Sequence, residues 1–238
     1  MFRKNEVTVK LYTHEPNHFE FFKLRNGTKD YPEWFKKLPS EFYNPGFIPI
    51  PVPTAKRCPA IIDYFKKSMV IPNQFDLYLK ATHDNTSGWL APTKESAEMI
   101  SAFSPNQKTG FDIPHVKIDT SWTCVEETGI DFMIVDAYYN NFNEPWRIIP
   151  GILDFKYQHS LNINIAHNNQ EEPIFIPANT PLSFMIPLTE KNVKYEHYLV
   201  SNDEWKQIRN KYATGTFLSM HLKHKKLKDK FDLDTKAT

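Results

Sequence analysis

The sequence predicts a mainly β protein, α+β only at its margins. The expected architecture is an antiparallel β-barrel or a β-clip-like sandwich, with one short helix in the N-terminal half and helices at the C-terminal end. Three observations carry this. Short runs such as VTVKLY (7–12) and LNINI (161–165) alternate apolar and polar residues with the period of two of a half-buried strand. The 18 prolines are scattered through the chain, which breaks long helices and suits loops and strand edges. The stretch 150–188 reads continuously as a turn bearing an acid, an alternating strand, a polar hairpin, a second strand and an apolar exit.

Taken in order, residues 7–12 form a first strand and 19–24 (FEFFKL) a second. The segment 44–53 has proline at every second position over FIPIPVP, so it is extended, cannot sit centrally in a sheet, and reads as an arm lying across a surface. Residues 57–68 predict a short helix with Pro59 in its first turn and Ile61, Ile62 and Phe65 on one face. A strand follows over VIPNQFDLYLKAT, then a polar, loop-like stretch over 82–110. Strands at 113–125 and 130–139 are separated by a turn at Glu126–Gly129. A helix is expected over 202–212, capped by Asn202 or Asp203, and then a basic tail. The domain reading is one β-rich domain over 1–200 and a helical, basic extension over 201–238.

Composition removes several classes of function. With 29 Lys plus Arg against 28 Asp plus Glu, the chain has no global charge for coating nucleic acid. A local patch remains at 221–230, where Lys223, Lys225, Lys226, Lys228 and Lys230 cluster; it reads as a solvated tail first and a phosphate contact second. Cys58 and Cys124 have neither disulfide-framework nor zinc spacing. The seven glycines are too dispersed for GxGxxG, P-loop or GxSxG motifs. No run approaches the roughly 18 apolar residues of a membrane helix, and the opening MFRKNEVTVKLYTHE has no secretory apolar run. A soluble, non-secreted protein is expected.

Three constellations could carry chemistry. His14-Glu15-Pro16-Asn17-His18 matches HExxH literally, but a helical zinc motif would place Pro16 inside the helix, at a cost of about 3 kcal/mol, so a chance match in a loop is the reading. His159 and His167 flank one strand and share a face, but at eight residues they stand ~26 Å apart, too far to hold one ion; they read as surface or hairpin histidines. No metal site is expected. Asp154 follows Gly151 in a turn at a strand entrance, where a lone acid is most often a turn cap.

Gly151-Ile152-Leu153-Asp154-Phe155-Lys156-Tyr157-Gln158, the strand Leu161–Ile165 and the exit Ala178-Asn179-Thr180-Pro181-Leu182-Ser183-Phe184-Met185-Ile186-Pro187 resemble the core of the trimeric dUTPase and dCTP deaminase superfamily. Upstream, Gln74-Phe75-Asp76-Leu77 is similar to that family's GYDL element. The resemblance implies Asp154 as the base that activates water, with Tyr157, Asp76 and Gln158 as substrate contacts and Mg²⁺ required if the nucleotide reaction holds. The chain departs from the family at His159 for glycine, Phe184 for glutamine and Asn179-Thr180 for a glycine turn, and it lacks a PRSG phosphate element and a glycine-rich C-terminal arm.

Over residues 57–188 the order RCP, IIDYFKKSMVIP, PGILDFKY, NINI and IPANTPLSFMIP is also similar to uncharacterised proteins frequent in marine phages and some bacteria. Those proteins have no established activity to carry over; the absence of any complete catalytic set makes a phage-encoded, non-enzymatic binding or assembly protein without cofactor the expectation, in the virion or the host cytoplasm, and the extended arm at 44–53 with exposed strand edges predicts a homo-oligomer or docking on other phage proteins. The alternative is a divergent nucleotide pyrophosphatase or deaminase-fold enzyme using Asp154.

Overall fold

In a computed structural model, residues 6–44, 50–81, 87–103, 114–167 and 172–210 are described. The first strand, β1 (Glu6–Thr13), runs into a short helix, α1 (Pro16–Phe21), then β2 (Arg25–Asn26), α2 (Glu33–Lys37), β3 (Glu41–Asn44) and β4 (Ile50–Pro53). Then come α3 (Pro59–Lys67), β5 (Met69–Pro72), β6 (Leu77–Ala81), β7 (Ser87–Leu90), α4 (Lys94–Glu98), β8 (Ile100–Phe103) and β9 (His115–Val125). The chain continues through β10 (Asp131–Asp136), α5 (Tyr138–Asn141), β11 (Trp146–Ile148), β12 (Gly151–Asp154), β13 (Ser160–His167) and β14 (Ile174–Ile176). It closes with β15 (Pro181–Pro187), β16 (Asn192–Leu199) and α6 (Asn202–Asn210).

The protein is mainly β, with several sheets and no closed barrel among the described residues; of the two architectures expected from sequence, only the packed-sheet one is present. One sheet has the order β11-β13-β9-β1-β16, with β8 also on β9; a second has the order β12-β10-β15-β5-β2. A three-stranded sheet, β14-β6-β7, and the β3-β4 pair complete the set. Inward residues of both large sheets and the small one share a single core, which includes Leu11, Trp122 and Ile163 from the first and Ile71, Phe132 and Met185 from the second. The second sheet is buried on its other face too. There Val70, Ala137 and Phe184 pack with Phe65 of α3 and a group of tyrosines. This explains why Met69–Pro72 is an uninterrupted buried run rather than an alternating one. A register shift between Pro181 and Ser183 lets Leu182 and Met185, three residues apart, face the same core.

Several elements depart from the sequence reading. Residues 19–24 were expected extended but begin inside α1, because Pro16 occupies the first helical position, where its missing N–H costs nothing. The polar stretch 82–110 contains β7, α4 and β8; Thr93 caps α4 by accepting from Ser96 N–H (3.1 Å). β16, a strand not anticipated, pairs in parallel with β1 over eight residues and joins the two ends of the described chain. The segment 150–188 is not one unit: its strands divide among three sheets. The described part of the proline-rich segment, Asn44 and Ile50–Pro53, is extended as expected and belongs to the β3–β4 ladder, with Pro51 opposite Tyr43. Residues 45–49 and the basic cluster at 221–230 lie outside the described residues.

Gly27 is required by close approach: a Cβ there would stand 2.4 Å from Ser68 Oγ and 2.5 Å from Phe65 O. Gly129, at φ +78°, takes the left-handed position of the turn after β9.

Candidate functional site

The long strand β9 shares one edge between two short partners. β8 pairs with His115–Ile118 and β1 with Thr123–Val125, which leaves Thr120–Trp122 paired to neither. Unpaired buried backbone must find other partners, and here side chains supply them. Gln74 Oε1 accepts from Ser121 N–H (3.2 Å), and Trp205 Nε1 donates to Ser121 C=O (3.1 Å). A cleft of about 670 Å³ opens over this gap, walled by α1, α4 and α6. That volume is in the range of small-molecule sites.

The side chains over the gap are interlinked. Ser121 Oγ lies 2.6 Å from His18 Nδ1, receives a bond from Thr13 (3.2 Å) and a longer one from Gln74 Nε2 (3.4 Å). The Ser121 hydroxyl, on a residue only 5% exposed, is thus shared among three side chains, and the His18 tautomer sets which of Ser121 and His18 donates in their bond. Burial pushes the His18 pKa down; neighbouring Glu15 opposes this and His14 adds to it. His14 stands on Trp205 with ring centroids 4.3 Å apart, and its Nε2 lies 3.0 Å from Glu15. Arg209, one turn beyond Trp205 on α6, covers the indole ring at 4.8 Å and pairs with Asp119. Asn162, with its amide oriented by its neighbours, donates to Asp119 (3.0 Å).

The HExxH match therefore straddles a strand end and a helix start: His14 lies outside α1 and His18 inside it. Both line the cleft, although not as a chelating pair. Among the described residues, no group of three or more His, Cys, Asp or Glu is placed to hold a metal ion. The cleft wall carries four carboxylates: Asp119 pairs with Arg209, Glu98 with Lys94, Glu15 stands beside His14, and Glu95 is the fourth. Aromatic surface comes from Phe22, Phe75 and Trp205.

None of the four residues singled out by resemblance lines this cleft. Asp154 is buried at the end of β12, and its carboxylate accepts from Lys156 N–H (3.0 Å). Its carbonyl accepts from Tyr157 N–H (3.1 Å) and Gln158 N–H (2.9 Å), so all three residues belong to one tight turn. Asp76 accepts from Ala178 N–H (2.8 Å), clamping the loop after β5 to the loop before β15. Asp131, the β10 partner of Asp154, accepts from Leu188 N–H just beyond β15, whereas Ala178 precedes Pro181 at the other end of that strand. Six residue steps separate those ends, so the Asp154 and Asp76 turns stand roughly 20 Å apart. Neither Asp154 nor Tyr157 nor Gln158 lines the cleft, but Gln74 and Phe75 of the GYDL-like element do. Asn179, where the resembling family has a glycine turn, takes φ +67°, a conformation asparagine tolerates better than most residues.

His159 and His167, read from the sequence as surface or hairpin histidines, are both buried (4% and 3% exposed). No helix among the described residues is long and apolar enough to cross a membrane. No family model matches the chain, and no curated protein matches it.

Proposed function

We propose that this protein is a binding module and that the cleft over the β9 gap takes a cationic ligand, an amine or a basic side chain. One observation carries the reading: carboxylates outnumber cations in a cleft with aromatic walls, since Asp119 is matched by Arg209 and Glu98 by Lys94 but Glu15 and Glu95 face no Lys or Arg partner among the described residues, on a chain whose overall charge is close to neutral. Carboxylates attract the ammonium head, and the apolar walls, Phe22 and Met99 among them, take a methylene stem. The same charge repels a triphosphate. Calorimetric titration at low ionic strength with spermidine, cadaverine and the neutral 1,5-pentanediol tests this. Saturable binding of the amines and not the diol is expected, weakened several-fold in Glu95→Gln/Glu98→Gln. Absence of amine binding together with pyrophosphate release from a nucleoside triphosphate, abolished in Asp154→Asn, would replace this reading with the nucleotide-enzyme one.

A second reading, self-assembly, is favoured by the β3–β4 ladder. It carries Phe42, Tyr43 and Ile50 at 51%, 68% and 60% exposure, and a two-stranded ribbon gains stability from a third partner. A concentration-dependent mass in light scattering, lost in Phe42→Ser/Tyr43→Ser, is the expected result. The resemblance over 57–188 supports a phage setting, which mass spectrometry of purified virions tests.

A further inference from the structure

We infer that the cleft selects amines that also bear a hydrogen-bond acceptor, as an amino acid does, and that His18 Nε2–H is the donor that reads the acceptor; this rests on the cation-binding reading above. The direction of each proton follows from the partners. Thr13 Oγ1 accepts from Glu15 N–H (3.2 Å), so its own proton passes to Ser121 Oγ (3.2 Å). Gln74 spends its carbonyl oxygen on Ser121 N–H, which turns its amino group to Ser121 Oγ as a second donor. Ser121 then has one direction left for its proton, His18 Nδ1 at 2.6 Å. A neutral imidazole that accepts on Nδ1 carries its proton on Nε2, a tautomer assigned from the network. Burial favours that neutral ring.

The ring edge bearing Nδ1 is turned inward to Ser121, which leaves the Nε2 edge of this cleft-lining side chain for a ligand. Glu95 and Glu98 stand on α4 and His18 on α1, so one wall offers acceptors and another a donor. A bare diamine satisfies the first wall. An α-amino acid with a cationic side chain satisfies both. Thr13, which does not line the cleft, is a positioning residue that acts through Ser121, and Ser121 on the cleft floor holds the donor in one tautomer.

L-Lysine and cadaverine separate these cases because they differ by a single carboxylate. A hydrogen bond to a charged group is worth about 1.5–3 kcal/mol, so lysine is expected to bind roughly tenfold or more tightly than cadaverine. The near-isosteric Thr13→Val, outside the cleft lining, is expected to reduce that ratio toward one while cadaverine affinity holds, and Ser121→Ala is expected to reduce the ratio as well. The ¹⁵N spectrum of His18 is expected to report an Nε2-protonated ring in the wild type and a mixture of tautomers in Ser121→Ala, a change that a purely structural role for Ser121 would not produce. Equal affinities for lysine and cadaverine would overturn the inference and leave the cation-binding reading standing. Failure of both ligands to bind would overturn both. A lysine preference that survives in Ser121→Ala and Thr13→Val, or an Nδ1-protonated His18, would overturn the relay.

Discussion

The Asp154 turn and the Ser121 gap both place buried polar atoms against strand backbone, and they differ in where the partners come from. The bonds that close the turn at Asp154 reach two to four residues along the chain, to Lys156, Tyr157 and Gln158. The turn after β9 is built the same way: the buried Glu126 carboxylate accepts from Thr128 (2.6 Å), Gly129 (2.7 Å) and Ile130 (3.2 Å) N–H. Around Ser121 the partners are Thr13, His18, Gln74 and Trp205, between 47 and 108 residues away. A carboxylate that accepts from its own loop stabilises that loop. Polar groups gathered on Ser121 from three distant segments at the floor of an open cleft mark the place where we propose that a ligand binds.

Substitutions in the two kinds of region should therefore separate stability from binding. The largest stability effect is expected at Glu126→Ala, which strips three N–H groups of a charged acceptor; about 3 kcal/mol should be lost in urea denaturation with amine binding unchanged. Trp205→Ala should cost about 2 kcal/mol, since it removes the Ser121 carbonyl donor and the surface under His14 and Arg209. Unlike Glu126→Ala, it should also weaken amine binding by roughly tenfold or more in calorimetry. Asp154→Ala should cost about 1–2 kcal/mol and leave binding intact, with Asp154→Asn retaining most of the stability because an amide oxygen still accepts from Lys156. An amine affinity that falls in Asp154→Ala as far as in Trp205→Ala would break the comparison.

The smallest expected effects are linked to pH. Burial beside the cation of Lys23 lowers the His197 pKa to about 4, against an ordinary value of 6.5, while a bond to Leu24 opposes this. The unfolded chain takes up a proton first as pH falls. His197 thus contributes stability that is present above 6.5 and lost as pH falls through about 4. The loss should reach about 1–2 kcal/mol after allowance for partial exposure. Asp136 acts in the opposite sense: burial raises it from 3.8 to about 6 against the pull of Arg147, so stability is lost as pH rises between those values. His197→Phe, which keeps a ring against Trp122, should remove the first dependence in a urea series from pH 7 to 4. Asp136→Asn should remove the second and raise stability at pH 7 by about 1 kcal/mol.

What could be read from the sequence follows the same division between local and distant partners. Strands with a clean alternation, such as β1 and β13, and a helix with Pro59 at its start are local signals and are where they were expected. The Glu126–Gly129 turn is local as well. β16 was missed because NVKYEHYL is only half-buried and gains its strand character from the parallel pairing with β1, some 186 residues earlier in register. The segment 150–188 looked like one unit because its strands are adjacent in sequence, but adjacency does not decide which sheet a strand joins. The candidate site was visible in fragments. His14, His18 and the Gln74–Phe75 pair stood out for other reasons, and no spacing rule connects them to Ser121 or Trp205. Pro16, taken as evidence against a helix at His18, starts that helix.

The central claim is that the cleft over the β9 gap, and not the Asp154 turn, is where this protein meets its ligand. Its most direct test is a ¹H–¹⁵N NMR titration with L-lysine. The account predicts saturable shifts centred on His18, Thr120–Trp122 and the Trp205 indole, with Asp154–Gln158 unmoved. Shifts centred on Asp154–Gln158, with the indole of Trp205 unmoved, would contradict it.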